Sequence, residues 1–250
     1  MHPLALTLLL APRALNWDVD VDGPLTVAGG LGWIASEVLK ETYGPSACSW
    51  CSTNGFDLAG RDLRWSDPKA AHQISNVLAF AAGPALVFGA DLLAAHHDGD
   101  WKSFLVDALL VTEATIAASD LNQIVKFTAA RERPYATFLS PAEKLAPDRS
   151  RDEHISFYSG HTTFAFAFAT SAGTIASMRG YRWAPLVWAI GLPYAFATGY
   201  LRVAADYHWM SDVLVGMATG AAIGFAIPFF AHKPIKLVPQ GAGLAVGGIF

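Results

Sequence analysis

The sequence predicts an all-α fold, an up-and-down bundle of about six helices embedded in a membrane. Three observations carry that expectation. Apolar stretches recur along the chain, each broken off by glycine, proline or charge. Few windows alternate with the period of two that a half-buried strand requires. Charged residues make up 15% of the 250 residues and apolar ones 53%, with a mean hydropathy of +0.33. An average soluble domain carries roughly 25% charged residues, so the balance points to a helical membrane protein.

Taken in order, the first helix is expected at 24–39, in PLTVAGGLGWIASEVL. The second, 72–96, overlaps an uncharged run from Ala70 to Ala90, and about 20 such residues suffice to cross a bilayer. The third, 101–129, carries Asp107, Glu113 and Asp120. Glu113 and Asp120 are seven apart and share a face, which in a membrane bundle points inward, toward the site; in a soluble helix it would be a wet face. The fourth, fifth and sixth helices are expected at 160–178, 183–201 and 209–231. The tail GAGLAVGGIF is the one candidate for an extended segment. Residues 40–71 and 131–158 form polar connections, whereas HHDGDWK, MRGYR and the Arg202–Tyr207 link are short. Short links between long helices imply antiparallel neighbours. With no long polar linker, residues 1–250 read as one domain with a motif-bearing core at about 75–230.

Composition excludes some functions. A net charge of −4, a pI near 6 and the lack of a basic tract interleaved with aromatics argue against nucleic acid. Cys48 and Cys51 form a lone C-x-x-C in the polar GPSACSWCSTNG stretch. A zinc site would need two further ligands and none is evident nearby; a thioredoxin-like pair would need a βαβ context. A local disulfide in an oxidising compartment, or two idle thiols, remains. The N-terminal MHPLALTLLLAPRALNW has an apolar run without a basic region, either an atypical signal segment or a short surface segment.

The chemistry-bearing residues fall at helix ends. Lys126 and Arg133 lie at and just beyond the end of the third helix; Ser159, Gly160 and His161 open the fourth; Arg202 closes the fifth; His208 and Asp212 open the sixth. Antiparallel order brings all of them to one end of the bundle. Lys126 supplies a point charge, and Arg133 and Arg202 offer forked donors that match a phosphate. Ser159 and Gly160 sit at a helix N-terminus, where free N–H groups favour an anion. His208 and Asp212, at i and i+4, share a helical face. A carboxylate holding one ring nitrogen leaves the other free to attack phosphorus, with His161 placed to protonate the leaving oxygen. Each element has a plainer reading too. His208 with Asp212 is an ordinary ion pair or the seed of a metal site with no evident third ligand, and the basic residues alone make a solvated cluster. Their joint occurrence at one bundle end favours the catalytic reading.

The chain resembles the type 2 phosphatidic acid phosphatase superfamily, which also includes bacterial acid phosphatases and vanadium haloperoxidases. That family's pattern is K-x6-R-P, then P-S-G-H, then S-R-x5-H-x3-D. Lys126-FTAARE-Arg133-Pro134 fits the first. Tyr158-Ser159-Gly160-His161 fits the second except for Tyr in place of Pro, and Leu201-Arg202-VAADY-His208-WMS-Asp212 fits the third except for Leu in place of Ser. The resemblance implies a phosphatase/haloperoxidase-like bundle and a metal-independent phosphatase working through a phosphohistidine on a phosphate ester, of a lipid or a small molecule, with no cofactor. His208 is then the nucleophile, Asp212 its orienter and His161 the acid. Lys126, Arg133, Ser159, Gly160 and Arg202 bind phosphate. Tyr158 bears on the entry angle of the fourth helix, and Leu201 removes one hydroxyl. Other readings are a soluble periplasmic acid phosphatase, a vanadate-dependent haloperoxidase and a non-catalytic membrane protein. The small basic loops at the far end favour a bacterial-type inner membrane with the site facing the periplasm or exterior.

Overall fold

The computed structural model describes residues 14–144, 146, 149–233, 235–240 and 243–248, so most of the apolar N-terminal run falls outside it. Six long helices stand where the apolar stretches place them: α1 Val19–Tyr43, α3 Pro68–His97, α4 Phe104–Ala129, α5 Gly160–Arg179, α6 Ala184–Ala204 and α7 Met210–Ala231. The polar 40–71 connection adds a short helix, α2 Gly55–Arg61.

Their ends follow local chemistry. The Asp67 carboxylate accepts the Ala70 N–H at 3.0 Å, and Pro68 opens the first turn of α3, where its missing N–H costs nothing. A π-turn over Leu78–Ala82 precedes Pro84, which has no N–H for the ladder. Gly180, at φ 73°, ends α5. Ala130 ends α4 at φ 45°, a left-handed conformation that costs an L-residue about 1–2 kcal/mol. That turn sends residues 131–133 along the cysteine loop, where Trp50 bridges Arg131 and the Ser49 N–H reaches the Ala130 carbonyl at 3.0 Å.

The core centres on α5, buried along almost its whole length by small and aromatic side chains. α4, α6 and α7 all pack against it. The sequence is antiparallel, since Asp107 at the start of α4 meets Arg179 at the end of α5 and Arg202 at the end of α6 meets His72 at the start of α3. The short α6–α7 link does not make those two helices close neighbours; they lie mainly against α5, because Gly216, Gly220 and Gly224 let α7 settle on the α5 backbone. The tail expected to be extended is so over β2 Gly243–Gly248, and it pairs antiparallel with β1 Ile235–Gln240.

The acids of α4 do not point toward the site. Glu113 lies 3.4 Å from His232, and Asp120 faces Gly29 of α1. Spacing fixes a common face, but the packing of α1 and the end of α7 decides what it meets. Three helices, α3, α6 and α7, are long and apolar enough to cross a membrane.

Candidate active site

The ends of α1, α3, α4, α5 and α6 converge on one cavity of about 500 Å³, with the α6–α7 link closing it. Lys126, Arg133, Gly160, His161, Arg202 and His208 line it, as the sequence motifs require. Ser159 and Asp212 are completely buried just behind it.

The three cations come from three elements. Lys126, in the last turn of α4, passes 2.8 Å from where a Cβ on residue 160 would sit, so glycine there leaves room for the ammonium. Asn122, one turn earlier, donates to the Tyr158 carbonyl at 2.7 Å and fixes the approach to α5. Arg133 is gripped from behind: its Nε donates to the Asp152 backbone oxygen at 2.7 Å and lies 3.0 Å from the Asp152 carboxylate. Burial alone would raise the Asp152 carboxyl, but Arg133 and Lys40 hold it far below the ordinary carboxylate range. Arg202 places Nη1 2.9 Å from Ser75 Oγ and 3.0 Å from His72 Nδ1, and its buried Nε has no partner.

His208 is held by the main chain. Its Nδ1–H donates to the Ser156 carbonyl at 2.7 Å, which leaves the lone pair on Nε2. That nitrogen faces the cavity, 3.2 Å from Arg133 Nη1. Burial first, then Arg133, Arg202 and Lys126, push the imidazole well below its ordinary pKa of 6.5, so the ring is neutral. Asp212 Oδ2 stands 3.8 Å from His208 Nδ1, too far for a hydrogen bond. Its oxygens are taken by Arg131 Nη1 at 2.5 Å, Ser156 Oγ at 2.6 Å and the Trp209 N–H at 3.0 Å. Asp212 thus holds the His208 ring indirectly, through Ser156 and the start of α7.

Ser159 does not turn its hydroxyl toward the cavity; Oγ lies 2.8 Å from Thr162 Oγ1. Gly160 and His161, both half-buried, line the cavity at the α5 N-terminus. Leu201 packs with Ala71, Ala204 and Ala205 where α6 meets α3, so the residue that departs from the motif serves packing there.

Several residues of the site lie outside the motifs. Arg131, completely buried, spans Asp212 and Asp57 of α2, and stacks on Trp50 at 4.0 Å. Burial would raise the Asp57 carboxyl, yet the Ser211 N–H and Arg131 hold it below its ordinary value. From α1, Glu37 and Lys40 reach the cavity, Lys40 bridging Glu37 at 3.2 Å and Asp152 at 3.0 Å. Trp33, Ile34, Val38 and Phe80 make an apolar wall on the same side. His72 and Asn76, at i and i+4 near the start of α3, reach Arg202 and His161.

Cys48 and Cys51 are joined as a disulfide on this side of the molecule. The fold does bring further metal-type ligands to Cys48, since Glu132 and His154 lie with it inside 4.8 Å, but its sulfur is engaged in the disulfide.

With this geometry in place, the family profile described as the PAP2 superfamily matches residues 107–235, just over half the chain. The chain belongs to the PAP2 superfamily. Phospholipid phosphatase 2 of Bos taurus is 25% identical over 200 residues, covering 66% of this chain and 67% of the relative. The Rattus norvegicus protein of the same name is 30% identical over 99 residues, 36% of each chain. Among solved structures, a transmembrane PAP2-type phosphatidylglycerolphosphate phosphatase from Bacillus subtilis aligns at a TM-score of 0.48 and 19% identity, over 82% of this chain and 95% of that one. The PAP2 match takes in Lys126, Arg133, the 158–161 turn and the Arg202–Asp212 stretch, and leaves α1–α3 outside it.

Proposed function

We propose that this PAP2 protein is a phosphatase that hydrolyses a lipid phosphate monoester or pyrophosphate through a phosphohistidine on His208. The observation that carries the reading is the His208 ring: its Nδ1–H is locked onto Ser156, and its unprotonated Nε2, 3.2 Å from Arg133 Nη1, faces a cavity lined by Lys126, Arg133 and Arg202. Phosphoryl transfer asks for positioning and charge stabilisation more than for covalent help from the protein. The three cations and the N–H groups at Gly160 bind the equatorial oxygens. Nε2 attacks phosphorus in line, and the bond to the ester oxygen breaks. His161 gives that oxygen its proton and then takes one from the water that hydrolyses the phosphohistidine. The charge stabilisation comes from side chains, and the route requires no metal ion.

Two observations support a lipid. The apolar wall of Trp33, Ile34, Val38 and Phe80 adjoins the phosphate cradle. The outer faces of the helices are also apolar, with Leu31, Val38, Leu105 and Ile124 each more than 60% exposed. The curated relatives carry phospholipid phosphatase names, in the same direction. We place the enzyme in a bacterial-type inner membrane with its site on the periplasmic or exterior side, where the Cys48–Cys51 disulfide fits an oxidising compartment. Assay of the purified protein against lipid and soluble phosphate esters tests the reading. Turnover on lipid phosphates that His208→Ala lowers by at least ~10³-fold is expected. Near-normal turnover by that variant refutes the mechanism.

A further inference from the structure

The general acid His161 is linked to Arg202 by close polar contacts through two residues that no motif contains. Its Nε2 lies 2.7 Å from Asn76 Oδ1; Asn76 Nδ2 lies 3.2 Å from His72 Nε2; His72 Nδ1 lies 3.0 Å from Arg202 Nη1. His72 and Asn76 stand four residues apart on α3 and share a face. Tyr207 stacks on the His72 ring at 4.2 Å and holds it in plane with the chain.

Counting protons shows that these links cannot all be hydrogen bonds at once. Arg202 is always protonated and can only donate, so it claims the lone pair of His72 Nδ1. The Asn76 NH2 claims the lone pair of His72 Nε2. A neutral imidazole offers one such lone pair, because its other nitrogen carries hydrogen, and an imidazolium offers none. One link must yield. If the amide yields, it turns end for end: His72 Nε2–H donates to its oxygen and its NH2 donates to His161 Nε2. His161 is then neutral, with its proton on Nδ1. If the Arg202 link yields, His72 carries hydrogen on Nδ1 and accepts from the amide at Nε2. The amide oxygen then accepts from His161 Nε2–H. Only this second direction lets His161 hold protons on both nitrogens, as an acid ready to give one away must.

We propose that His72 and Asn76 are positioning residues that load His161 when the oxyanion binds, a proposal that rests on the phosphatase reading above. The oxyanion draws the Arg202 guanidinium from His72, the chain reverses, and His161 takes up a proton. His72 exchanges with solvent, losing hydrogen at Nε2 and gaining it at Nδ1; His161 gains one proton from solvent; Arg202 keeps all of its own. Arg202 can respond because it lines the cavity, its buried Nε has no partner among the described residues, and Ser75 Oγ, 2.9 Å from Nη1, still holds it when His72 is released. Burial first, then Arg202 from α6, Lys126 from α4, His72 from α3 and Arg133 from the 131–133 segment, otherwise oppose a second proton on His161, and His208 of the α6–α7 link faces the same cavity. Glu37 and Lys40 of α1 line the same cavity. A bound oxyanion offsets the cations, so its arrival and the reversal of the chain act in the same direction.

Single-turnover kinetics of the full-length protein in detergent test this, with two esters compared. An alkyl phosphate needs its leaving oxygen protonated, whereas p-nitrophenyl phosphate releases a stable anion. Asn76→Leu should lower the first-turnover rate on the alkyl ester by ~10²-fold, the lower end of what a positioned acid supplies, while leaving the nitrophenyl ester near the wild-type rate. Its basic limb on the alkyl ester should move to lower pH. Asn76→Asp, a permanent acceptor, should move that limb to higher pH, and this variant decides the matter alone if Asn76→Leu does not fold. Equal losses on both esters with an unmoved limb overturn the proposal and leave the phosphatase reading standing. Full turnover by His208→Ala overturns both.

Discussion

At the scale of single residues, the site depends on which groups hold the catalytic ones. Asp212 was expected to touch His208; instead the Ser156 carbonyl does, and Asp212 is spent on Arg131, Ser156 and the start of α7. Arg131 is therefore the residue whose loss should cost most outside the motifs. Arg131→Met leaves the buried carboxylates of Asp57 and Asp212 without their counter-ion, a change worth about 3–5 kcal/mol of stability. Thermal unfolding in detergent should show a large drop in midpoint; a midpoint near wild type contradicts the role given to Arg131. The pH behaviour follows from His208. Its folded pKa lies well below 6.5, so the ring proposed as nucleophile stays neutral as pH falls through that value. The enzyme's own acid limb in kcat/KM, corrected for substrate ionisation, should lie below pH 6.5, and a limb at or above it contradicts the assignment. Stability has its own sign. The unfolded imidazole takes up a proton near pH 6.5 and the folded one does not, so the His208 contribution to folding is lost as pH drops below that value.

At the scale of elements, the central contact is α7 on α5. A Cβ at Gly220 would run into the Thr163 carbonyl, and Gly216 faces the Ser159 carbonyl in the same way. Gly220→Leu should therefore force the helices apart at a cost of about 1–3 kcal/mol. Because Asp212 rides on α7, with His208 just before it, while His161 rides on α5, activity should fall along with the unfolding midpoint. A Gly220→Leu protein with unchanged midpoint and rate counts against this packing. Helix positions were legible because apolar runs break off at glycine, proline or charge, as at Gly180 after α5; the Asp67 cap and Pro68 start α3 four residues before the expected 72. What the runs did not reveal is which helices touch. α6 and α7 are joined by a short link yet lie mainly on α5, because small residues on α7, not link length, set the contact.

At the scale of the molecule, the motif residues and their convergence on one end could be read from order and helix direction alone. The contributions of α1, α2 and the start of α3 could not. Glu37, Lys40, Asp57, His72 and Asn76 carry no spacing that distinguishes them from surface polar residues, and only the tertiary arrangement brings them to Lys126, Arg131 and His161. Glu113 and Asp120 show the converse, a shared face that turned out to meet α1 and His232. The apolar outer faces and the three helices of spanning length predict an integral membrane protein. Alkaline carbonate washing should leave it in the pellet and detergent should release it; release by washing alone contradicts membrane insertion. Whether the cavity works as proposed comes down to His208. Rapid acid-free quenching of the enzyme during turnover of a radiolabelled lipid phosphate, followed by peptide mapping, should recover an acid-labile, base-stable phosphoryl group on His208, absent from His208→Ala. A protein that turns over the ester at full rate while no label ever reaches His208 would contradict it.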